Sequence, residues 1–295
     1  MSDTSEILLT ESHARLLEKA MEIFMEPPER GQIGFIGRSL IQATLPHSNP
    51  KVDRFVRTAG RYTLTVTAMD PDVGLPYGKY PRLILVWICT EARRTEKIEL
   101  VLGRSLSDFM GQLGLIPTGG RWGTITALKD QMNRLLSCAF YLRYVDGHAE
   151  AKMNLTLATY ADLLWEPKHP GKRGLFDSTL TLNPAFFAEI MAHPVPIDMR
   201  ALEALKTSSL AIDIYQWMTW RVSYLKEPIP LRWEQLAAQF GSNYADNAQG
   251  IRDFKRDFLT QLRKVSLVYQ GLDWDVVDGQ LLLRPSPTHV PRIGG

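Results

Sequence analysis

Between Gly250 and Lys264 five cations, Arg252, Lys255, Arg256, Arg263 and Lys264, stand against two acids, Asp253 and Asp257. Ile251, Phe254, Phe258 and Leu262 recur there at three- and four-residue spacing, which predicts a helix over Gln249 to Val265 with one face packed on its own domain. Arg252, Arg256 and Arg263 fall away from that face. Such a helix offers guanidinium groups to base edges and phosphates in the major groove of a duplex, or else is simply a solvated basic surface. A second, less basic stretch opens at Gly119-Gly-Arg-Trp-Gly-Thr124. In it Arg121, Lys129 and Arg134 are candidate phosphate or base contacts, because the unpaired amides at a helix start favour an anion. Trp122 reads as a packing residue or else as a stacking one, and Lys152 and Arg284 as phosphate contacts beside expected strand pairs.

Other chemistries lack their residues. The Gly119 to Gly123 segment has no Lys-Ser/Thr ending, so it is not a phosphate-binding loop of an ATPase. His13, His47, His148, His169, His193 and His289 are scattered, without the close pair that a metal-dependent nicking enzyme needs. No His-Glu-x-x-His, paired-cysteine zinc pattern or Gly-x-Ser-x-Gly occurs. The expectation is a protein with no catalytic centre, metal or cofactor. Cys89 and Cys138 sit in apolar sequence and are expected as buried, reduced thiols.

The elements that must position these residues follow from periodicity. A chain of 295 residues, 45% hydrophobic and 22% charged, has room for two globular domains. Its net charge of +2 hides an asymmetry: residues 1 to 30 carry seven acids against three bases, −4, so the rest totals +6. Neither a secretory leader at Met1 to Glu11 nor an apolar run of ~18 residues is present, which points to a cytoplasmic bacterial protein without a membrane partner. Glu11 to Met25 places Leu16, Leu17, Ala20, Ile23 and Phe24 on one helical face, suited to packing on its own domain or to docking a partner. A helix around Leu83 to Cys89, a strand at Ile98 to Leu102 and a helix capped near Ser105 come next. They lead to a longer helix between Gly119 and Tyr144, then to strands at Tyr141 to Val145 and Ala151 to Leu157 around Asp146-Gly147. The same order returns with helices at Leu210 to Leu225, Leu231 to Phe240 and Gln249 to Val265, and a hairpin turning at Asp278-Gly279. Helix, strand, helix, helix, hairpin is the winged-helix order. The reading is therefore an α+β chain of two tandem winged-helix domains with an N-terminal helical appendage. It assigns residues 1–45 to the appendage and linker, 46–165 to the first domain, and 166–295 to a linker strand and helix with the second domain.

Several stretches together resemble plasmid-encoded RepA replication initiators, over nearly all the chain from about residue 35. They are Gly74-Leu-Pro-Tyr-Gly78, Pro81-Arg-Leu-Ile-Leu-Val-Trp87, Thr90-Glu-Ala-Arg-Arg-Thr95, Ser105-Leu-Ser-Asp-Phe-Met110, Thr118-Gly-Gly120 and Ala211-Ile-Asp-Ile-Tyr-Gln-Trp-Met-Thr-Trp-Arg221 through Trp233-Glu-Gln-Leu236. The resemblance implies binding to iteron repeats in double-stranded origin DNA, local duplex opening, and recruitment of the host initiator and replicative helicase. It supplies no catalytic motif. By analogy, a repressor homodimer is a further expectation, through the Glu11 to Met25 helix or the first domain. A winged-helix transcriptional repressor, acting on its own promoter, is the alternative that the same architecture allows.

Overall fold

In the computed structural model of the chain, residues 11–42, 44–147, 149–241 and 243–291 are described; Asp3, Glu6 and His148 lie outside them. Glu11–Met25 forms the expected amphipathic helix, α1. It buries Leu16, Ala20 and Ile23, but Phe24 is 67% exposed. At 3.6 residues per turn Phe24 sits about 80° round the helix from Leu16, on the outer flank with Met21. Where a linker was expected, β1 (Ile33–Gly37) and the short α2 (Arg38–Gln42) follow. The hairpin β2 (Arg54–Ala59) and β3 (Tyr62–Ala68) turns at Gly60, whose positive φ of 58° suits a residue without Cβ. α3 (Lys79–Thr95) is buried on all sides from Pro81 to Cys89. β4 (Glu99–Gly103) comes next, then α4 (Leu106–Gln112), where the Asp108 amide donates to Ser105 Oγ at 3.1 Å, and α5 (Thr124–Leu136).

Two expectations fail at this point, both for reasons of pairing. The helix expected to run towards Tyr144 stops at Leu136, and Cys138–Asp146 is a strand, β5, paired with β3. Phe140, Leu142 and Tyr144 alternate there and stand opposite Val66, Leu64 and Tyr62, so period-two pairing overrides the helical pattern that had included Ala139. β6 (Ala149–Thr156) completes a sheet of order β2-β3-β5-β6, and Asp146 pairs with Ala149, so it belongs to the strand rather than to the expected Asp146-Gly147 turn. The hairpin that closes on β4 is instead β7 (Ala158–Asp162) with β8 (Ser178–Leu182), in the order β4-β8-β7. β8 wins this place because Leu180 and Leu182 are buried with Leu100 and Leu102 of β4, and Leu180 lies opposite Leu100. Pro167 to Gly174 is thus the connection inside a hairpin rather than a linker between modules. The division expected between residues 165 and 166 falls within the same hairpin.

The second half follows the expected sequence closely. α6 (Pro184–Ala192) is capped by Asn183, and β9 (Pro194–Asp198) pairs antiparallel with β1. α7 (Met199–Leu205) and the almost wholly buried α8 (Ser209–Val222) start at the Asp198 and Ser208 caps. β10 (Ile229–Leu231), α9 (Trp233–Phe240), α10 (Ala248–Val268) and the hairpin β11 (Trp274–Val277) with β12 (Gln280–Leu283) end the fold. Asp278 and Gly279 both have positive φ, 49° and 75°, as a two-residue turn of the expected kind requires. The sheet order β10-β12-β11 repeats that of β4-β8-β7. The molecule is mixed α+β, and one contiguous hydrophobic core runs through both halves. α1 packs on α7 and α10. Among the described residues no helix is long and apolar enough to cross a membrane. Cys89 and Cys138 are buried and unbridged, and burial pushes each thiol up to about 12.

Candidate nucleic-acid interface

α10 begins where Asn247 Oδ1 accepts the Gly250 amide at 2.8 Å. Its inner face buries Phe254, Phe258, Leu262 and Val265, and Phe258 meets Trp233 and Phe240 of α9 at ring separations of 6.0 and 5.6 Å. That aromatic wedge fixes which side of α10 faces out. Arg252, Arg256 and Arg263 are all exposed. They fall within about 40° of one another round the helix and cover ~16 Å of its length, comparable with the ~12 Å width of a major groove. Arg252 bonds only to Gln249 Oε1, at 2.7 Å through Nη2, and Arg263 has no ion pair or hydrogen bond among the described residues. Arg256 lies between Asp253 at 2.9 Å and Asp257 at 3.0 Å, exposed enough for a phosphate to compete. The two lysines leave this stripe: Lys255 lies over the Trp233 ring at 5.1 Å, and Lys264 lines a cavity beside α1. Asp257 also accepts the Tyr244 hydroxyl at 2.9 Å, and burial with this bond pushes the Tyr244 phenol well up.

In the first half, reciprocal bonds between Thr118 and Thr124 lock the start of α5, with each hydroxyl accepting the other's amide at 2.9 to 3.0 Å. Beyond this clamp Arg121 lies over Trp122 at 5.1 Å, and Trp122 is 89% exposed rather than packed. Lys129 is exposed on a groove of about 1120 Å³ between α5 and the β7–β8 connection. Lys168 lines the opposite wall of that groove. Sequence reasoning missed Lys168, since its stretch read as a linker; only the turn-rich, charged composition hinted at an exposed tip. Arg134 turns inward, 17% exposed, with Nε donating to Asp130 at 2.8 Å, Nη1 to the Leu75 carbonyl at 3.3 Å, and its plane over Tyr77. Lys152 is paired with Glu150 at 2.9 Å and Arg284 with Asp273 at 2.9 Å.

A family model described as "Plasmid encoded RepA protein" matches residues 75–235, which run from the loop before α3 into α9. No curated protein matches the chain. Two crystal structures of domains 2 and 3 of RctB are similar to it. A selenomethionine derivative has a TM-score of 0.55 at 13% identity, covering 84% of this chain and 96% of its own. The other, RctB-155-483, has a TM-score of 0.50 at 13% identity, covering 83% and 94%. At that identity the likeness concerns the fold.

Proposed function

This chain belongs to the plasmid-encoded RepA family, and from that premise we propose that it initiates plasmid replication by reading double-stranded origin DNA through two winged-helix modules. The observation that carries the reading is the outward arginine stripe of α10, mounted on a helix triad whose three-stranded sheet repeats the strand order of the first half. In this reading α10 enters the major groove, with Arg252, Arg256 and Arg263 towards bases and phosphates. The groove walled by Lys129 and Lys168, with Arg121 at the start of α5, holds backbone phosphate. Iteron repeats are the binding sites. Duplex opening, recruitment of the host initiator and replicative helicase, and a cytoplasmic location are carried by family membership alone. The chain binds and remodels DNA without making or breaking a bond in it.

Binding of labelled origin fragments tests this. Arg252→Ala and Arg256→Ala are each expected to weaken specific binding by about 1–3 kcal/mol where the side chain reads a base edge. Affinity should also fall steeply with salt, because phosphate neutralisation releases counterions. Unchanged affinity in both variants removes α10 from the interface. Persistence of the plasmid after deletion of the gene would leave only the transcriptional-repressor reading.

A further inference from the structure

Between the β2–β3 turn and the α8–α9 corner lies an open cleft of about 1110 Å³. Two aromatic pairs flank it: Tyr62 with Tyr144, ring centroids 4.7 Å apart, and Trp220 with Tyr224, 5.1 Å apart. Arg38, Arg61 and Arg221 line the cleft, against Glu234 as its one acid among the lining residues. Arg221 lies over the Tyr224 ring and donates to its hydroxyl, and Arg61 reaches Asp146 at 2.7 Å, so both guanidiniums are held at the cleft wall. Arg38 and Trp220 also line a neighbouring cavity of about 520 Å³ that reaches Phe35 and His193, so the two hollows meet at these residues. Glu234, Gln235 and Ala238 of α9 face this cleft, on the side of that helix away from Trp233 and Phe240, which pack on α10.

Flat aromatic faces beside fixed guanidiniums match one ligand chemistry: an unpaired base, which stacks on a ring, joined to a phosphate, which takes the cation. The major groove of a duplex presents base edges and hides base faces, so paired DNA does not satisfy this cleft. We propose that the cleft between the β2–β3 turn and the α8–α9 corner binds nucleotides through their exposed base faces, at a site separate from α10. Two sources share this chemistry, a free nucleoside triphosphate and an unpaired stretch of single-stranded DNA.

The full chain is titrated with a labelled oligothymidylate and, separately, with ATP and dTTP, following anisotropy and tryptophan fluorescence. Binding of the oligonucleotide alone assigns the cleft to a single strand; binding of the triphosphates as well assigns it to free nucleotide. In either case Tyr224→Ala and Arg221→Gln are each expected to weaken binding ~10-fold or more, as loss of a stacking platform or phosphate cation does. Arg61→Gln, on an exposed turn remote from the core, serves where the helix variants melt early. Arg252→Ala is expected to bind oligothymidylate and triphosphates normally, whatever it does to duplex binding. No binding of either probe, full binding by the cleft variants, or an equal loss in Arg252→Ala would overturn the proposal.

Discussion

Arg134 reaches past its own helix to the Leu75 carbonyl and lies over Tyr77, whereas Arg252, among the described residues, bonds only to Gln249 one turn back. Both were legible in the sequence as cations on the polar side of a helix. Spacing states which way a side chain leaves its helix; it does not state whether an acceptor waits there. For Arg134 one does, because the loop before α3 folds over α5. Arg134→Ala is therefore expected to cost about 1–2 kcal/mol of stability in urea unfolding and to leave duplex affinity unchanged. A loss of DNA affinity with stability intact would return Arg134 to the interface. Trp122 errs in the opposite direction. It stands at the start of α5 where an apolar residue reads as core, yet the Thr118–Thr124 clamp directs the chain so that the indole points to solvent.

Among the elements, the helices with strong amphipathic spacing and clear caps lie where periodicity placed them, and so does the Asp278-Gly279 hairpin, whose turn chemistry is local. The strands of the first half were misassigned for a physical reason. Two hairpins follow α5, and which one joins β4 depends on side chains far apart in sequence, namely Leu100 and Leu102 against Leu180 and Leu182. If β8 supplies that core contact, Leu180→Ala leaves a cavity and is expected to cost about 2–5 kcal/mol in denaturant unfolding. A cost near zero would mean that the pairing of β8 with β4 contributes nothing to the core. α1 shows the same division between local and distant information. Its amphipathic character was plain, but only its packing on α7 and α10 decides that Leu16, Ala20 and Ile23 are covered while Met21 and Phe24 remain outside.

At the scale of the whole molecule, the first helix of one triad is tied to the first helix of the other. Arg82 of α3 forms two bonds of 2.7 Å to Asp213 of α8, and His47 Nε2 meets the same carboxylate at 2.7 Å, all three buried. Burial opposes the charge on Asp213, and Arg82 with His47 overcomes it and holds the carboxyl below its ordinary range. Burial keeps His47 below its ordinary 6.5, and it does the same to His289, which bonds Tyr215 at 2.8 Å. As pH falls through 6.5 these imidazoles take up protons in the unfolded chain before they do so in the fold. The unfolded state then binds more protons, and stability falls with pH. The urea midpoint is expected to drop between pH 7.5 and 5.5, and to drop less in His47→Gln/His289→Gln; an equal drop in that variant would locate the proton uptake elsewhere. None of this network was visible in the sequence, where Arg82, His47 and Asp213 are separated by up to 166 residues. What the sequence determined by itself was whatever depends on neighbours a few residues apart: the α+β class, most helices and their caps, the arginine stripe of α10, and the stretches that resemble the RepA family. Only the tertiary structure decided which hairpin closes the first sheet, which cations are held by acceptors, and where an aromatic cleft opens. Each of those outcomes depends on which distant surfaces meet, and local periodicity carries no information about that.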